Sequence, residues 1–232
     1  MLTLLLVACT PDKVGDIEGR VLVGPGVLSS PLVDGSVTVL GDDATFFDEA
    51  TTDFEGRFRA TAPRGLNIFV IIEGDGMVPT TFSGVMGQGT FVVNDGELFA
   101  WPVEDRVTLD TDFGDCAQEG AVMTGVIRFA GVSNVDTGEG LEVPNGFASA
   151  FNEAGDEFRA CYVNADGVYD PEAEDAGPSA RYAIYGLEEG FHELVYGYRV
   201  TADVIVEHSL LLWVSEGAVV PQFPAWADLN VE

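Results

Sequence analysis

Short runs of β-branched, aliphatic and aromatic residues recur along the whole chain, separated by groups of Gly, Asp, Asn and Pro. In the clearest runs apolar and polar positions alternate, as in Ser36-Val37-Thr38-Val39-Leu40 and Phe58-Arg59-Ala60-Thr61. Alternation over about four to eight residues is typical of a strand with one buried face. No long run shows the spacing of an amphipathic helix. The pattern therefore predicts an all-β protein.

The predicted strands follow one another at the spacing of a β-sandwich, with turn groups such as Asp34-Gly35 between them. In chain order they are IEGRVLV, SVTVL, GRFRATA, LNIFVII, TFVV, GVIRFA, GFASAF, FRACYV, RYAIYGL, HELVYGY and DVIVEHSLLLWV. A chain of 232 residues is long enough for one large β domain or two of ordinary size. Its 47% hydrophobic content is sufficient for real cores.

Residues 16–103 contain an ordered set of motifs. These are Ile17-Glu18-Gly19-Arg20-Val21, the run from Pro31 to Val39, Thr51-Thr52-Asp53-Phe54-Glu55-Gly56-Arg57-Phe58, and Gly74-Asp75-Gly76-Met77-Val78-Pro79. The set resembles the carboxypeptidase regulatory-like domain, a transthyretin-like sandwich, with Gly35 at the usual Ala and Met77 at the usual aromatic position. Asp53 and Gly56 are turn residues that would join two strands, and Phe58 is expected to point inward.

Residues 121–232 resemble a divergent second copy, interrupted by an acidic insert at 170–178. Its parallels to the first set are Gly125-Val126-Ile127-Arg128-Phe129, the run from Val143 to Ala150, the run from Asn164 to Tyr169, and the run from Gly186 to Leu194. The polar run 104–120 between the copies is interpreted as a linker. The expected fold is all-β, with two tandem Ig-like or transthyretin-like β-sandwiches after a short lipoprotein signal segment.

The N-terminal run from Leu2 to Ala8 is apolar apart from Thr3 and far shorter than the ~20 residues that span a bilayer. Leu6-Val7-Ala8-Cys9 resembles the bacterial lipobox. The resemblance implies a signal-peptide remnant at 1–8, a lipidated Cys9 that binds the membrane, and a tether at 9–15. If the host has an outer membrane, Thr10 in place of Asp after the cysteine resembles the signal for sorting to that membrane, where the protein would face the periplasm or the cell surface. The alternative is a buried N-terminal strand with a free cysteine, since no Lys or Arg precedes the apolar run.

Three cysteines are present, and two remain if Cys9 carries lipid. In an exported chain, Cys116 and Cys161 are then expected to form a disulfide. The alternative is a pair of buried free thiols, which pack as small hydrophobic residues. No CxxC pair occurs, so thiol-redox and zinc-ribbon functions have no support.

The charge is strongly one-sided, with 39 acidic and 10 basic residues and a formal net charge of -29. Such a chain repels phosphates, which excludes a nucleic-acid partner. The simplest interpretation of the acidic charge is that it keeps the protein soluble. The alternative is that the acidic residues attract divalent cations. Calcium is the only cofactor considered, and its weak candidate site is one flexible loop that carries five carboxylates. They are Asp166, Asp170, Glu172, Glu174 and Asp175.

Candidate catalytic groups are few. The two histidines, His192 and His208, form no H-x-H or HExxH spacing, and no GxSxG motif is present. We therefore expect a non-enzymatic, lipid-anchored cell-envelope protein that acts as a structural or binding module for an unknown envelope protein or glycan. The alternatives are a glycan-binding or enzyme-accessory lipoprotein, or a hydrolase if a cleft gathers a histidine with Ser and Asp. The aromatic residues that would stack on sugars, or else fill cores, are Trp101, Trp213, Phe223 and Trp226.

Overall fold

The computed structural model describes residues 14–25, 29–85, 91–92, 98–133, 140–142, 146–164, 166, 168–176, 181–201 and 204–221. Cys9 with the predicted signal segment, and the aromatic residues Phe223 and Trp226, lie outside the described residues. The described part of the chain contains strands and a single α-helix. The predicted all-β class is therefore confirmed.

The elements of the first half precede and include the helix. They are β1 (Val14–Val23), β2 (Ser36–Leu40), β3 (Phe46–Thr51), β4 (Arg57–Pro63), β5 (Asn67–Glu73), β6 (Met77–Val78), β7 (Thr80–Val85), β8 (Phe91–Val92), β9 (Leu98–Pro102) and α1 (Val103–Phe113). A 3₁₀ turn, Gly114–Cys116, follows α1 directly.

The second half consists of strands alone. They are β10 (Ala121–Val126), β11 (Arg128–Ser133), β12 (Gly140–Glu142), β13 (Gly146–Asn152), β14 (Glu157–Arg159), β15 (Cys161–Val163), β16 (Tyr169–Asp170), β17 (Arg181–Leu187), β18 (Gly190–Thr201), β19 (Val204–Val214) and β20 (Val219–Pro221). Two predicted strands are divided. GVIRFA is interrupted at Ile127 and FRACYV at Ala160, because the chain leaves one sheet for another at each point.

A central sheet of nine described strands runs through both halves, in the order β16-β15-β17-β10-β20-β7-β5-β2-β3. β20 joins the halves within this sheet. It pairs in parallel with β10 at Val122↔Val219, Met123↔Val220 and Thr124↔Pro221. On its other side Val219 pairs with Thr80 of β7. The division of the chain into two sandwiches with the boundaries given above therefore stays a prediction, since one sheet is common to both halves.

Two smaller sheets cover opposite faces of the central sheet. Ile68, Val70 and Ile72 of β5 face a core shared with the sheet β4-β1-β9-β6. Phe69 of the same strand points the other way and meets Phe191 of the sheet β14-β13-β18-β19. Because both faces of β5 are covered, its sequence is an almost continuous apolar run instead of an alternating one.

The turn between β3 and β4 forms as its sequence predicts. The carboxylate of Asp53 accepts hydrogen bonds from the backbone N–H groups of Glu55 and Arg57, and Phe58 is buried. Gly56 has φ +77°, and a Cβ at this position would lie 2.5 Å from the carbonyl oxygen of Val21. Only glycine fits here, because the backbone is left-handed and the neighbouring strand leaves no room.

Most of the predicted linker is helical. α1 begins after Pro102, has Glu104 and Asp105 in its first turn, and is followed by Gly114 with φ 50°. Its two buried residues, Leu109 and Phe113, are four apart and so lie on one face.

That face packs on the central sheet, on the side away from β18 and β19. Leu109 and Phe113 join a cluster with Val122, Ala183 and Tyr185, and the rings of Phe113 and Tyr185 are 6.1 Å apart. The helix thus covers in the second half the face that β1 and β9 cover in the first.

A disulfide joins the 3₁₀ turn to β15 and confirms the predicted pairing. Cys116 and Cys161 are bonded, with their Cα atoms 6.5 Å apart and a sequence separation of 45. In the chain-entropy model a loop of this length stabilises the native state by roughly 4 kcal/mol. The bond therefore attaches the end of α1 to the sheet on which the helix packs.

A cluster of aromatic rings fills the space between the halves on the other face. The centroids of Phe69 and Phe191 are 5.7 Å apart, and those of Phe191 and Trp213 are 5.1 Å apart, both in edge-to-face contact. The hydroxyl oxygens of Thr81 and Ser215 approach to 3.3 Å beside it. The two halves are consequently in contact on both faces of the central sheet.

We expect Phe69→Ala to lower the free energy of unfolding by about 3–5 kcal/mol, because it empties a fully buried aromatic site between the halves. Equilibrium unfolding in urea, followed by tryptophan fluorescence, should still show one transition. Phe54→Ala is the matched control, since Phe54 is 77% exposed and its loss should change stability by less than about 0.5 kcal/mol. Two separate transitions in Phe69→Ala, with one of them unchanged, would contradict the shared-sheet account.

Candidate binding surfaces

The five carboxylates of the calcium candidate are not brought together. Among the described residues, no group of three or more His, Cys, Asp or Glu side chains is arranged to hold a metal ion. Asp170 instead stabilises its own turn, because its carboxylate accepts a hydrogen bond from the backbone N–H of Glu172 at 3.1 Å. Glu172 and Glu174 line a surface groove, described below.

His192 is a buried histidine of β18. It is 2% exposed, and its Nδ1 lies 3.2 Å from the carbonyl oxygen of Gly190. Because a carbonyl only accepts, Nδ1 carries the hydrogen, and Nε2 is buried with no hydrogen-bond partner among the described residues. Burial lowers the pKa of His192 below its usual value, although the hydrogen bond to Gly190 acts in the opposite sense.

His208 does not share a site with His192. It pairs with Tyr196 across β18 and β19, with ring centroids 5.7 Å apart, whereas His192 pairs with Leu212. Neither histidine lines either of the two described concave surfaces. The hydrolase alternative needed a cleft that gathers a histidine with Ser and Asp, and the described residues contain no such arrangement around these two.

The two described tryptophans both lie between the halves. Trp213 belongs to the aromatic cluster with Phe191. Trp101 at the end of β9 packs its ring 5.8 Å from that of Phe99, and its backbone N–H donates to the hydroxyl of Thr80. Of the two roles expected for these aromatic residues, their positions match the filling of cores. Trp101 also lines a surface cleft.

That cleft, here called the junction cleft, lies where α1 meets both halves and has a volume of about 410 Å³. Its apolar lining comes from Trp101, Leu109, Val126 and two prolines. Its polar lining includes Thr108, Asp112 and Arg181. Arg181 reaches across to Asp112 with an N···O distance of 3.5 Å, and Thr108 lies on the exposed surface of α1. An aromatic ring with nearby hydrogen-bonding groups is a common composition for a small-ligand site.

A second concave surface, the outer groove, lies on the outer face of the sheet β14-β13-β18-β19 and has a volume of about 710 Å³. Its apolar floor contains Phe147, Phe151 and Val195, which lie on the face of β13 and β18 opposite the core residues Ala148 and Leu194. Glutamates and Arg159 form its walls.

The sequence contained a signal for neither surface as a whole. The outer-facing residues of β13 could be read from its alternation, GFASAF, but the loop at 171–174 that forms one wall is distant in sequence. The junction cleft is formed in part by α1, and the sequence did not predict this helix because it has few apolar positions. The usable signals were Pro102 before the helix, the acidic first turn, and an Arg106–Asp110 pair four residues apart.

We expect His192 to make the protein less stable as the pH falls. The unfolded state has the ordinary histidine pKa of about 6.5, and the folded state has a lower one, so the unfolded state binds the proton first. The free energy of unfolding should therefore fall as the pH drops through about 6.5. In His192→Gln this component should disappear, as measured by urea unfolding at a series of pH values. His208→Gln is the control for loss of an imidazole, and equal pH dependence in the wild type and His192→Gln would refute the assignment.

Comparison with known proteins yields no family. No protein-family model matches the chain, and no curated protein matches it. Among solved structures, the chain is similar to the Bacillus anthracis TIE protein, with 14% identity and a TM-score of 0.31 over 90% of this chain and 33% of that one. The chain thus spans about a third of the length of that protein.

Two pilin structures show similarity at the same level. Shaft pilin SpaA from Lactobacillus rhamnosus GG is 8% identical, with a TM-score of 0.28 over 90% of this chain and 96% of that one. GBS52, the minor pilin of Streptococcus agalactiae, is 12% identical, with a TM-score of 0.25 over 90% and 93% of the two chains. TM-scores of this size do not establish a shared fold, and they do not indicate what this chain does.

Proposed function

We propose that this chain is a non-enzymatic structural and binding module of the bacterial cell envelope, held on a membrane by lipid at Cys9. The proposal combines the lipobox-like Leu6-Val7-Ala8-Cys9 with the architecture of the folded part. Its cellular site is the envelope, as a lipoprotein of the outer membrane, and its partner is an envelope protein or glycan. Among the described residues, no helix is long and apolar enough to cross a membrane.

The observation that carries the proposal is the central sheet. Strands of both halves pair within it, and the helix and the aromatic cluster pack across its two faces. Relative movement of two domains is expected unless their interface is large and apolar, and here the interface includes main-chain pairing. A unit of this kind keeps its surfaces at set positions relative to the anchor, which suits a spacer or a binding module.

The disulfide supports export. Disulfides persist in oxidising compartments and are rare in the cytosol of most organisms. The Cys116–Cys161 bond therefore favours an oxidising compartment such as the proposed location.

The test of anchoring is the intact mass of the protein extracted with detergent from native membranes and alkylated without reduction. We expect cleavage before Cys9, added acyl mass, and no alkylation of Cys116 or Cys161. Cys9→Ser is the control, and it should remain unprocessed and leave the membrane fraction. An unprocessed, unlipidated wild-type mass with alkylated thiols would overturn both the anchor and the export assignment.

A second candidate function, glycan binding, is favoured by the junction cleft, because Trp101 lies there beside Thr108, Asp112 and Arg181. Sugars commonly stack on aromatic rings while their hydroxyls bond to such polar groups. Calorimetric titration with the repeating disaccharide of peptidoglycan tests it. Thr108→Trp, which fills the cleft, should weaken binding by ~10-fold or more.

Thr111→Trp is a closely matched control for that titration. Both threonines are exposed on α1, and each hydroxyl donates to a backbone carbonyl four residues earlier, but only Thr108 lines the cleft. The control should bind as the wild type does. Absence of measurable binding by the wild type would exclude this candidate.

A further inference from the structure

We infer that the outer groove is a docking site for a positively charged segment of a partner protein, recognised by its side chains. The inference deepens the proposed binding role and rests on it, but it does not depend on the lipid anchor. The groove volume of about 710 Å³ lies within the ordinary range for sites that take a ligand.

The floor of the groove is apolar because outward-facing residues of neighbouring strands meet there. In the pairing register, Ser149 of β13 stands opposite Val195 of β18, and Phe151 stands opposite Glu193. Phe147 stands opposite Gly197, which contributes no side chain to the surface. The floor therefore presents Phe147, Phe151 and Val195, with the small side chain of Ser149 between the two phenylalanines, where its hydroxyl donates to Glu157 at 3.1 Å.

The wall of the groove is acidic. Glu157, Glu172, Glu174 and Glu207 line it, and the one basic group in the lining is Arg159. The Arg159 guanidinium lies 3.3 Å from Glu157, so it faces one of the four carboxylates. Three glutamates from two separate elements remain to meet a cation at the groove.

The loop that carries two of these glutamates is held by its own contacts. The backbone N–H of Ala173 donates to the carbonyl oxygen of Asp170 at 3.2 Å, and the side chain of Ala173 packs against the buried core that contains Ala148 and Leu194. Glu172 and Glu174 flank this inward-pointing alanine and are exposed. Their main chain is positioned before a partner arrives, which lowers the entropy cost of binding.

Strand addition is disfavoured at this groove, because the nearby edge of β13 is already capped. The phenol oxygen of Tyr162 lies 3.0 Å from the backbone nitrogen of Ala148 and 3.3 Å from its carbonyl oxygen. The carbonyl oxygen of Gly146 accepts from the backbone N–H of Ala176 at 2.7 Å. A partner must therefore be recognised through side chains, not through a main-chain ladder.

Lysine and arginine fit this surface best. Their long stems can cover an apolar floor while their charged ends reach surrounding carboxylates. A second copy of this chain is disfavoured as the occupant, because each copy has a net charge of -29 and the two would repel. A bound metal ion is disfavoured because the carboxylates are spread around the walls and form no cluster among the described residues.

The test measures binding of a fluorescent peptide of alternating lysine and leucine to the full chain in detergent, at about 0.15 M salt, where long-range attraction is screened. We expect the triple variant Glu172→Lys, Glu174→Lys, Glu207→Lys to weaken binding by about tenfold, as expected for three exposed pairs. The matched control is Glu188→Lys, Glu189→Lys, Glu216→Lys, which changes the net charge equally at exposed turns outside the groove.

Three further results decide the inference. Phe147→Ser should weaken binding of the lysine–leucine peptide but not the weaker binding of a lysine–serine peptide, because only the former uses the apolar floor. Equal weakening by the two triple variants would overturn the inference in favour of general charge attraction. No binding to the wild type would also overturn it, while leaving the membrane anchor to be judged by its own mass measurement.

Discussion

The main-chain pairing of β20 is the interaction on which the architecture depends. Three residues, Val219–Pro221, lie between β10 and β7 and make one sheet from strands that belong to opposite halves of the chain. Their side chains also alternate between cores. Val219 packs in the cluster beneath α1, whereas Val220 packs in the core beneath β18 and β19. Removing this strand would expose the edges of β10 and β7 and uncover two apolar clusters at the same time, so its influence is large for its length.

The two candidate surfaces occur where this layered arrangement is incomplete. The junction cleft runs along α1 from Asp105 to Asp112, beside Trp101 of β9 and the strands β10 and β17. The outer groove lies beside β13, where β14 pairs only with residues 149–151 and a loop runs past the rest of the strand. Both surfaces are built on paired strands with one further element at the rim, α1 for the junction cleft and the loop at 171–174 for the outer groove, and neither histidine lines them. The side chains that line the two surfaces could bind a partner through aromatic, aliphatic and carboxylate groups.

Sequence reasoning succeeded where a residue's environment follows from its neighbours in the chain. The alternation of β2 and β4, the Asp53–Gly56 turn and the pairing of the two cysteines remaining after Cys9 all depend on local pattern or simple elimination. It missed β7, β9 and β20, whose polar, proline-containing or very short sequences become strands only because partners are present. The acidic loop that carried the weak calcium candidate shows the limit of reading local sequence. Its carboxylates are close in sequence but form no metal-holding group among the described residues, and Glu172 and Glu174 line a groove whose floor residues are distant in sequence.

The position of β20 also has a consequence for biosynthesis. Its partners β7 and β10 are made long before residues 219–221 leave the ribosome. Until then the N-terminal half has an open strand edge, and neither of the two apolar clusters served by β20 can close. Contacts between residues so far apart in sequence make folding slow. The central sheet is consequently completed only after residues 219–221 have been synthesised, so its two halves are joined late and together.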